Sequence, residues 1–477
     1  MRWDSHVCRS EGFESQARVK VSAGKRSIIA TLNVVKSQIL TVQDAGLSEA
    51  AWNELHVGDG QHVKIDHAEP LESMSHVRAK IYGRMLSNIE LDGIISDVAA
   101  GRYSNIEIAA FLTACASRGM SHRETVELTH SMVRSGRTLA WNRDVVVDKH
   151  CIGGLPGNRT TPIVVAIVAA VGLLMPKTSS RAITSPAGTA DVMETLAPVD
   201  LDVRAMRRVV EAEGGCIVWG AGMALSPADD ILIRVERPLD FDSNDQLVAS
   251  VLSKKVAAGS THAIIDIPVG PSAKVRTNET AAALAAKLHY VGAEVGLRVR
   301  AIQTDGLQPV GRGIGPALEA RDVLDVLRGA PNAPKDLRER AVTLAAAVLE
   351  LAGRNPHGAF VEALNILESG RAWRKFQAIA EAQGGLREPP SSKHRWEYKA
   401  VRTGVVRAIE NRKLARVAKF AGAPRDAAAG LELHTRIGAK VQKGQPLFSV
   451  HANAPGELSY AADYAKRATI FEIALER

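Results

Sequence analysis

Two segments rich in hydroxyl, glycine and basic residues are the places where this chain could do chemistry. The first runs Asp148-Lys149-His150-Cys151-Ile152-Gly153-Gly154-Leu155-Pro156-Gly157-Asn158-Arg159-Thr160-Thr161. It follows a predicted strand and precedes a predicted helix. Glycines let backbone N–H groups come close to a ligand, and a helix start carries partial positive charge. Lys149 adds a cation, and Thr160 and Thr161 add hydroxyl donors. The segment therefore reads as an oxyanion cradle, with phosphate as the expected anion. It lacks the GK[ST] ending of a Walker A loop and the GxGxxG spacing of dinucleotide binding. The alternative is a glycine turn that serves packing alone.

The second segment runs Lys177-Thr178-Ser179-Ser180-Arg181-Ala182-Ile183-Thr184-Ser185-Pro186-Ala187-Gly188-Thr189-Ala190-Asp191. Six Ser/Thr hydroxyls, one Lys and one Arg fall within thirteen residues, which suits a phosphate or a sugar phosphate. Thr189 can equally cap a helix beginning near Asp191. A third cluster is Asp240-Phe241-Asp242, followed by Ser250 and Ser253-Lys254-Lys255. Ser250 and Lys254 are four apart and share a helix face.

The first two segments resemble the signature loops of the thymidine/pyrimidine nucleoside phosphorylase family. The family pattern Lys-His-Ser-x-Gly-Gly meets Lys149-His150-Cys151-Ile152-Gly153-Gly154. The pattern Ser-[Gly/Ser]-Arg-[Gly/Ala], ending in Gly-Thr-x-Asp, meets Ser179-Ser180-Arg181-Ala182 and Gly188-Thr189-Ala190-Asp191. The resemblance spans nearly the whole chain. Pro156-Gly157-Asn158 and residues 180–185 look closer to the branch holding AMP phosphorylases and bacterial type 2 thymidine phosphorylases. It implies an α/β multidomain fold: a β-rich N-terminal domain (1–78) and a helical base-binding domain (79–143 plus about 238–258). A large α/β phosphate-binding domain with a mixed or parallel sheet (144–237 plus 259–390) and a C-terminal α/β domain (395–477) follow.

Carried over by motif, the family's phosphate contacts fall on Lys149, Gly154, Thr161, Ser179 and Thr189. Cys151 replaces the usual Ser and removes one hydroxyl. Ser180, Arg181, Ala182, Ile183, Thr184 and Ser185 match the stretch that holds the nucleotide's phosphate or ribose in AMP phosphorylases. Ser250, Lys254 and Lys274 match base-side positions. Val235, flanked by Arg234 and Arg237, stands where pyrimidine-specific members carry an Arg on a strand. Asp242 aligns with the proton donor of AMP phosphorylases, although a carboxylate at a helix start also serves the helix. His150 is the corresponding candidate for a thymine leaving group.

The resemblance implies phosphorolysis, a pentosyltransferase reaction. A thymidine phosphorylase giving thymine and 2-deoxy-α-D-ribose 1-phosphate is the expected activity. The alternative is an AMP (nucleoside 5′-monophosphate) phosphorylase giving free base and ribose 1,5-bisphosphate. A non-enzymatic phosphate- or nucleic-acid-binding protein is the third reading. No cofactor and no metal are expected, since inorganic phosphate is itself a substrate. The expected partners are a nucleoside or nucleotide and phosphate, with a homodimer or larger homo-oligomer in the cytoplasm and neither nucleic acid nor membrane.

The elements that must position these loops follow from pattern. Residues 27–32, 38–42 and 62–65 are short β-branched stretches near the N-terminus. Residues 78–139 show helical periodicity, with capping boxes at Ser104/Glu107 and Ser121/Glu124. From residue 144, strands (145–147, 216–219, 231–235, 263–267, 299–303) alternate with helices (162–174, 203–213, 279–296, 337–351), which argues for a largely parallel sheet. Residues 387–393 read as a linker, and the final 75 residues return to short strands and glycine turns.

Composition agrees. The 477 residues are 46% hydrophobic and 23% charged but 4% aromatic, so the core must be aliphatic. That excludes disordered, collagen-like and disulfide-dense chains. Net charge is +8, and residues 393–443 hold 13 Lys/Arg against 4 Asp/Glu. No aromatic-interleaved groove accompanies that charge, so it reads as a solvated face. Four scattered cysteines form no CxxC, so reduced thiols are expected. The N-terminus lacks an apolar h-region, so no signal peptide is expected. The longest apolar run, 162–176, is too short for a bilayer.

Overall fold

The structure, a computed structural model, describes residues 1–182, 185–239 and 243–475, with Arg237 described by its backbone alone. Two compact units form: Met1–Ser131 with Ala228–Asp245, and Met132–Pro227 with Gln246–Arg477. The chain opens with α1 (His6–Ser10), β1 (Arg18–Ala23), β2 (Arg26–Thr31), α2 (Glu49–Leu55) and β3 (Lys64–His67). Helices α3 (Ser73–Ile81), α4 (Asn88–Ala99), α5 (Asn105–Arg118) and α6 (His122–Arg134) follow. Next come β4 (Val147–Cys151), α7 (Thr161–Ala170), β5 (Met175–Ser179), α8 (Thr189–Glu194), α9 (Val203–Glu213), β6 (Gly215–Trp219), α10 (Pro227–Leu239) and α11 (Asn244–Ala257). Then come β7 (His262–Val269), α12 (Asn278–Glu294), β8 (Arg298–Asp305), β9 (Gly313–Ile314), α13 (Pro316–Arg328), α14 (Lys335–Leu351), α15 (Pro356–Glu368) and α16 (Arg371–Ala382). The end carries β10 (His394–Lys399), β11 (Gly404–Ile409), α17 (Asn411–Phe420), β12 (Gly430–Leu433), β13 (Lys440–Val441), β14 (Pro446–Ala452), α18 (Pro455–Arg467) and β15 (Phe471–Ala474).

In the first unit, β2-β1-β3 is an antiparallel sheet whose alternating Val19, Val21 and Ala23 face a small core with Cys8, Phe13 and Leu55. Residues 38–42 are not a strand. Side chains there bond their own backbone instead: Thr41 N–H donates to Asp44 Oδ2 (3.1 Å) and Gln43 N–H to Thr41 Oγ1 (3.3 Å). Ile39 and Val42 are exposed, so no buried face recruits them. Both expected capping boxes form, with Glu107 N–H on Ser104 Oγ and Glu124 N–H on Ser121 Oγ. Residues 231–235, expected as a strand, lie within α10. Pro227 starts it, Asp229 and Asp230 complement its N-terminal charge, and Ala228, Leu232 and Val235 bury at helical spacing.

In the second unit the strands β4 to β8 are parallel. β5 pairs with β6, and β7 lies between β4 and β8. A parallel bridge from Val146 to Leu174 joins the two groups. The strand expected at 145–147 begins at Val147 and continues to Cys151, and the helix expected at 162–174 ends at Ala170. Gly172 (φ +81) turns the chain there into β5. Helix α7 is apolar on every side after Thr161 and buried from Thr161 to Ala169, each Val or Ile contributing roughly 1.5–3 kcal/mol. It is a rigid base for the loop that precedes it. Farther on, the sheets β10-β14-β12-β9 and β13-β11-β15 pack with α17 and α18 around a separate core. Among the described residues no helix is long and apolar enough to cross a membrane.

Candidate active site

Parallel strands present their carboxyl ends at one edge of a sheet, the usual place for ligands in such folds. Both sequence-predicted loops leave that edge: the first from the end of β4, the second from the end of β5. Thr161 is the first residue of α7 and is buried, so the first loop feeds directly into a helix N-terminus.

Beneath the loops lies an unusual charge arrangement. Asp148 on β4 is wholly buried; its Oδ1 accepts from Lys177 Nζ (2.7 Å) and its Oδ2 is ion-paired with Lys255 Nζ at 2.8 Å. Burial pushes its carboxyl up, but the two ammonium groups outweigh that and hold it below its ordinary range. Lys149, also fully buried, donates to Thr160 Oγ1 at 2.7 Å, and burial lowers its pKa. Three lysines thus share the neighbourhood of Asp148 and Asp266; burial pushes Lys177 down to about 7 and lowers Lys149, so an arriving anion would favour their charged forms.

Ser179, the last residue of β5, has a buried Oγ without a hydrogen-bond partner among the described residues. A buried hydroxyl without a partner is rare and costly, and a phosphate oxygen would satisfy it. Thr189 Oγ1 accepts from Arg159 Nη1 at 2.7 Å. Gly154 (φ +80) meets Lys274: a Cβ at that glycine would lie 2.3 Å from Lys274 N. Two distant candidates are therefore in contact, and the glycine is what permits it. Asn158, at φ 55, donates to Asp266 Oδ2 (3.2 Å) and Cys151 Sγ (3.3 Å), which braces the loop. Burial raises the Cys151 thiol to about 12, so it remains a neutral thiol there.

His150 is half-buried at the end of β4. Burial, then Lys255, Lys177, Lys149 and Lys254, hold its imidazole well below the usual 6.5. It is a neutral ring at neutral pH, able to donate one N–H. Lys254 and Ser250 lie one turn apart on α11, the helix that Lys255 ties to β4.

The second loop departs most from expectation. Arg181 forms a forked pair with Glu194, Nη1 to Oε2 at 2.5 Å and Nη2 to Oε1 at 2.8 Å. It also reaches Asp191 at 3.4 Å and stacks over Trp219 at 4.9 Å. Asp191 accepts from the N–H groups of Ala182 (2.7 Å) and Gly188 (2.8 Å), which folds the loop back on itself. Ser185 Oγ turns to Ala187 O at 2.9 Å, and Ser180 is exposed. Ile183, Thr184 and Asp242 lie outside the described residues, as do Asp240, Phe241 and the side chain of Arg237. Val235 is a buried apolar residue of α10.

Sequence reasoning gave no role to Asp148, Asn158, Arg159, Asp266 or Glu319, and Lys177 entered only as the lysine of the second motif. Asp148, Asn158 and Arg159 lay inside the first motif and could have been weighed as loop braces. Asp266 and Glu319 had no local signal.

The chain is similar to known proteins over nearly its whole length. A glycosyl transferase family model for a helical bundle domain matches residues 75–136, and one for an a/b domain matches 143–373. A pyrimidine nucleoside phosphorylase C-terminal domain model matches 405–472. A protein of Polaromonas sp. (strain JS666 / ATCC BAA-500) named "Putative thymidine phosphorylase" is 60% identical over 98% of this chain and 91% of its own length. One of the same name from Legionella pneumophila (strain Paris) is 57% identical over 97% and 90%. Among solved structures, anthranilate phosphoribosyltransferase from Thermus thermophilus superposes with TM-score 0.53 at 20% identity, covering 64% of this chain and 98% of its own. The Saccharomyces cerevisiae enzyme gives 0.54 at 15%, covering 66% and 98%. These two speak to the fold alone.

Proposed function

Because the chain belongs to the pyrimidine nucleoside phosphorylase family, we propose that this nucleoside phosphorylase acts on thymidine, releasing thymine and 2-deoxy-α-D-ribose 1-phosphate. The observation that carries phosphorolysis is the buried Ser179 Oγ, without a hydrogen-bond partner among the described residues, on the strand that also carries the buried Lys177. Phosphate held by Lys149, Thr161, Ser179 and Thr189 has one oxygen aimed at the anomeric carbon. That oxygen forms the new C–O bond as the glycosidic C–N bond breaks, and the base leaves with the bonding pair. Catalysis is then positioning plus electrostatics: fixed donors neutralise the nucleophile, and the lysine-rich surroundings favour the departing anion. With its low pKa, His150 serves better as a neutral N–H donor to the base than as a cationic acid.

Thymidine is favoured over a monophosphate by Arg181. A 5′-phosphate would need that guanidinium, yet it is matched by Glu194 and Asp191 and stacked on Trp219. The relatives' names point the same way. A nucleoside 5′-monophosphate is the second reading, favoured by the 37% exposure of the Arg181 side chain in one loop with Ser180 and Ser185. The test is base release from thymidine, uridine, AMP and CMP, with and without phosphate. Phosphate-dependent thymine release is expected. Release at an equal rate without phosphate would indicate a hydrolase, and cleavage confined to monophosphates would reject thymidine. Arg181→Ala is expected to change thymidine kcat/KM by less than about threefold, since it removes no contact to the reacting atoms. A hundredfold or greater loss, roughly 2.7 kcal/mol of transition-state stabilisation, would return Arg181 to the binding site.

A further inference from the structure

We propose that Arg159 is a positioning residue for the phosphate site: it joins the two loops and turns the Thr189 hydroxyl into a fixed donor toward phosphate. The inference rests on the phosphorolysis reading above. The Arg159 side chain is 13% exposed, and all three guanidinium nitrogens are used. Nε donates to Glu319 Oε2 at 2.8 Å, Nη1 to Thr189 Oγ1 at 2.7 Å and Nη2 to Ala187 O at 3.0 Å. One end of the residue is fixed by the first loop, where Asn158 is held by Asp266. The other end grips the second loop just before α8.

The chemistry lies in the direction of the bond to Thr189. A hydroxyl has one proton and two lone pairs. Arginine can only donate, so it occupies a lone pair of Oγ1 and leaves the proton to be given elsewhere. A hydroxyl that accepts from a cation is also a stronger donor. Without Arg159 the Thr189 hydroxyl could turn toward any nearby acceptor, and Ala187 O would keep only the hydroxyl of Ser185.

Glu319 fixes Arg159 in turn. It lies on α13, is 1% exposed, and its other oxygen accepts from Gly315 N at 3.1 Å. A planar fork with three directed bonds cannot be copied by lysine, whose ammonium is a point donor. Arg159→Lys is therefore an intermediate case.

The experiment measures KM for phosphate and KM for nucleoside separately, in wild type, Arg159→Ala, Arg159→Lys, Thr189→Val and the double variant Arg159→Ala/Thr189→Val. Arg159→Ala is expected to raise phosphate KM roughly tenfold to a hundredfold, the range for losing one charge-assisted hydrogen bond. Nucleoside KM should stay within about twofold, because the three hydrogen bonds of Arg159 go to Glu319, Thr189 and Ala187 and to none of the base-side candidates Ser250, Lys254 and Lys274. Guanidinium added to Arg159→Ala should recover part of the phosphate affinity. The double variant should be no worse than the poorer single, since one residue works through the other. An unchanged phosphate KM, a parallel rise in both KM values, or additive losses would overturn the inference. If Arg159→Ala fails to fold, Glu319→Gln, which keeps an acceptor for Nε, is read by the same split. Wild-type base release that ignores phosphate would overturn the function itself. A phosphate-dependent wild type with an unchanged Arg159→Ala would overturn only this inference.

Discussion

Replacing Ser179 by alanine separates a ligand contact from a structural one. Ser179 Oγ is buried and makes no hydrogen bond among the described residues. Removing it breaks no hydrogen bond among the described residues. A buried hydroxyl without a partner costs roughly 1–3 kcal/mol, so Ser179→Ala should leave stability unchanged or raise it, by about 2–4 °C in Tm per kcal/mol. With phosphate bound the balance reverses. A hydrogen bond to a charged group is worth roughly 1.5–3 kcal/mol, which is roughly a 10- to 150-fold increase in phosphate KM. The assay is initial rate against phosphate at saturating thymidine, paired with thermal melts with and without phosphate. Phosphate at about 100 Kd should stabilise wild type by about 2.7 kcal/mol, and the variant should lose most of that at the same concentration. A melt lowered by several degrees with an unchanged phosphate KM would refute the reasoning, because Ser179 would then be a structural residue.

Two further expectations come from the same site. Gly154→Ala should lower kcat/KM for both substrates by roughly a hundredfold, because its Cβ would collide with Lys274 N, whereas Gly153→Ala, with open space at its Cβ, should pay only left-handed strain of about 1 kcal/mol; equal losses in the two variants would show that Lys274 is not held by Gly154. His150 sets a pH dependence. Its folded pKa is below the unfolded 6.5, so below that pH the unfolded state binds a proton that the fold excludes. Stability should therefore fall as pH drops below about 6.5, and His150→Gln should flatten that part of a denaturation-against-pH curve; an identical slope in the variant would show that another group titrates.

The two glycine- and hydroxyl-rich loops after β4 and β5 were legible because each is contiguous. Glycines, hydroxyls and a lysine within a strand-to-helix step follow local backbone rules that hold in any fold. The capping boxes at Ser104 and Ser121 and the α9 helix, with Asp202 before it and Gly214 after, were legible for the same reason. Short apolar runs were not. Residues 231–235 match a strand and a helix face equally well, and only the burial of Ala228, Leu232 and Val235 on one side decided it. Residues 38–42 have strand composition but no sheet to join.

Arg181 shows the deeper limit. Its place in a phosphate-like motif suggested a free cation, but the fold set Glu194 and Asp191 beside it and spent the charge inside the protein. Arg159 shows the converse, since its grip on Glu319 spans 160 residues of sequence and had no local sign. The sequence by itself determined which backbone segments can cradle an anion, because that depends on neighbours along the chain. Only the tertiary structure decided which cations are left to meet it, because charge is cancelled by whatever the parallel sheet brings within about 3 Å, and that pairing is set by topology.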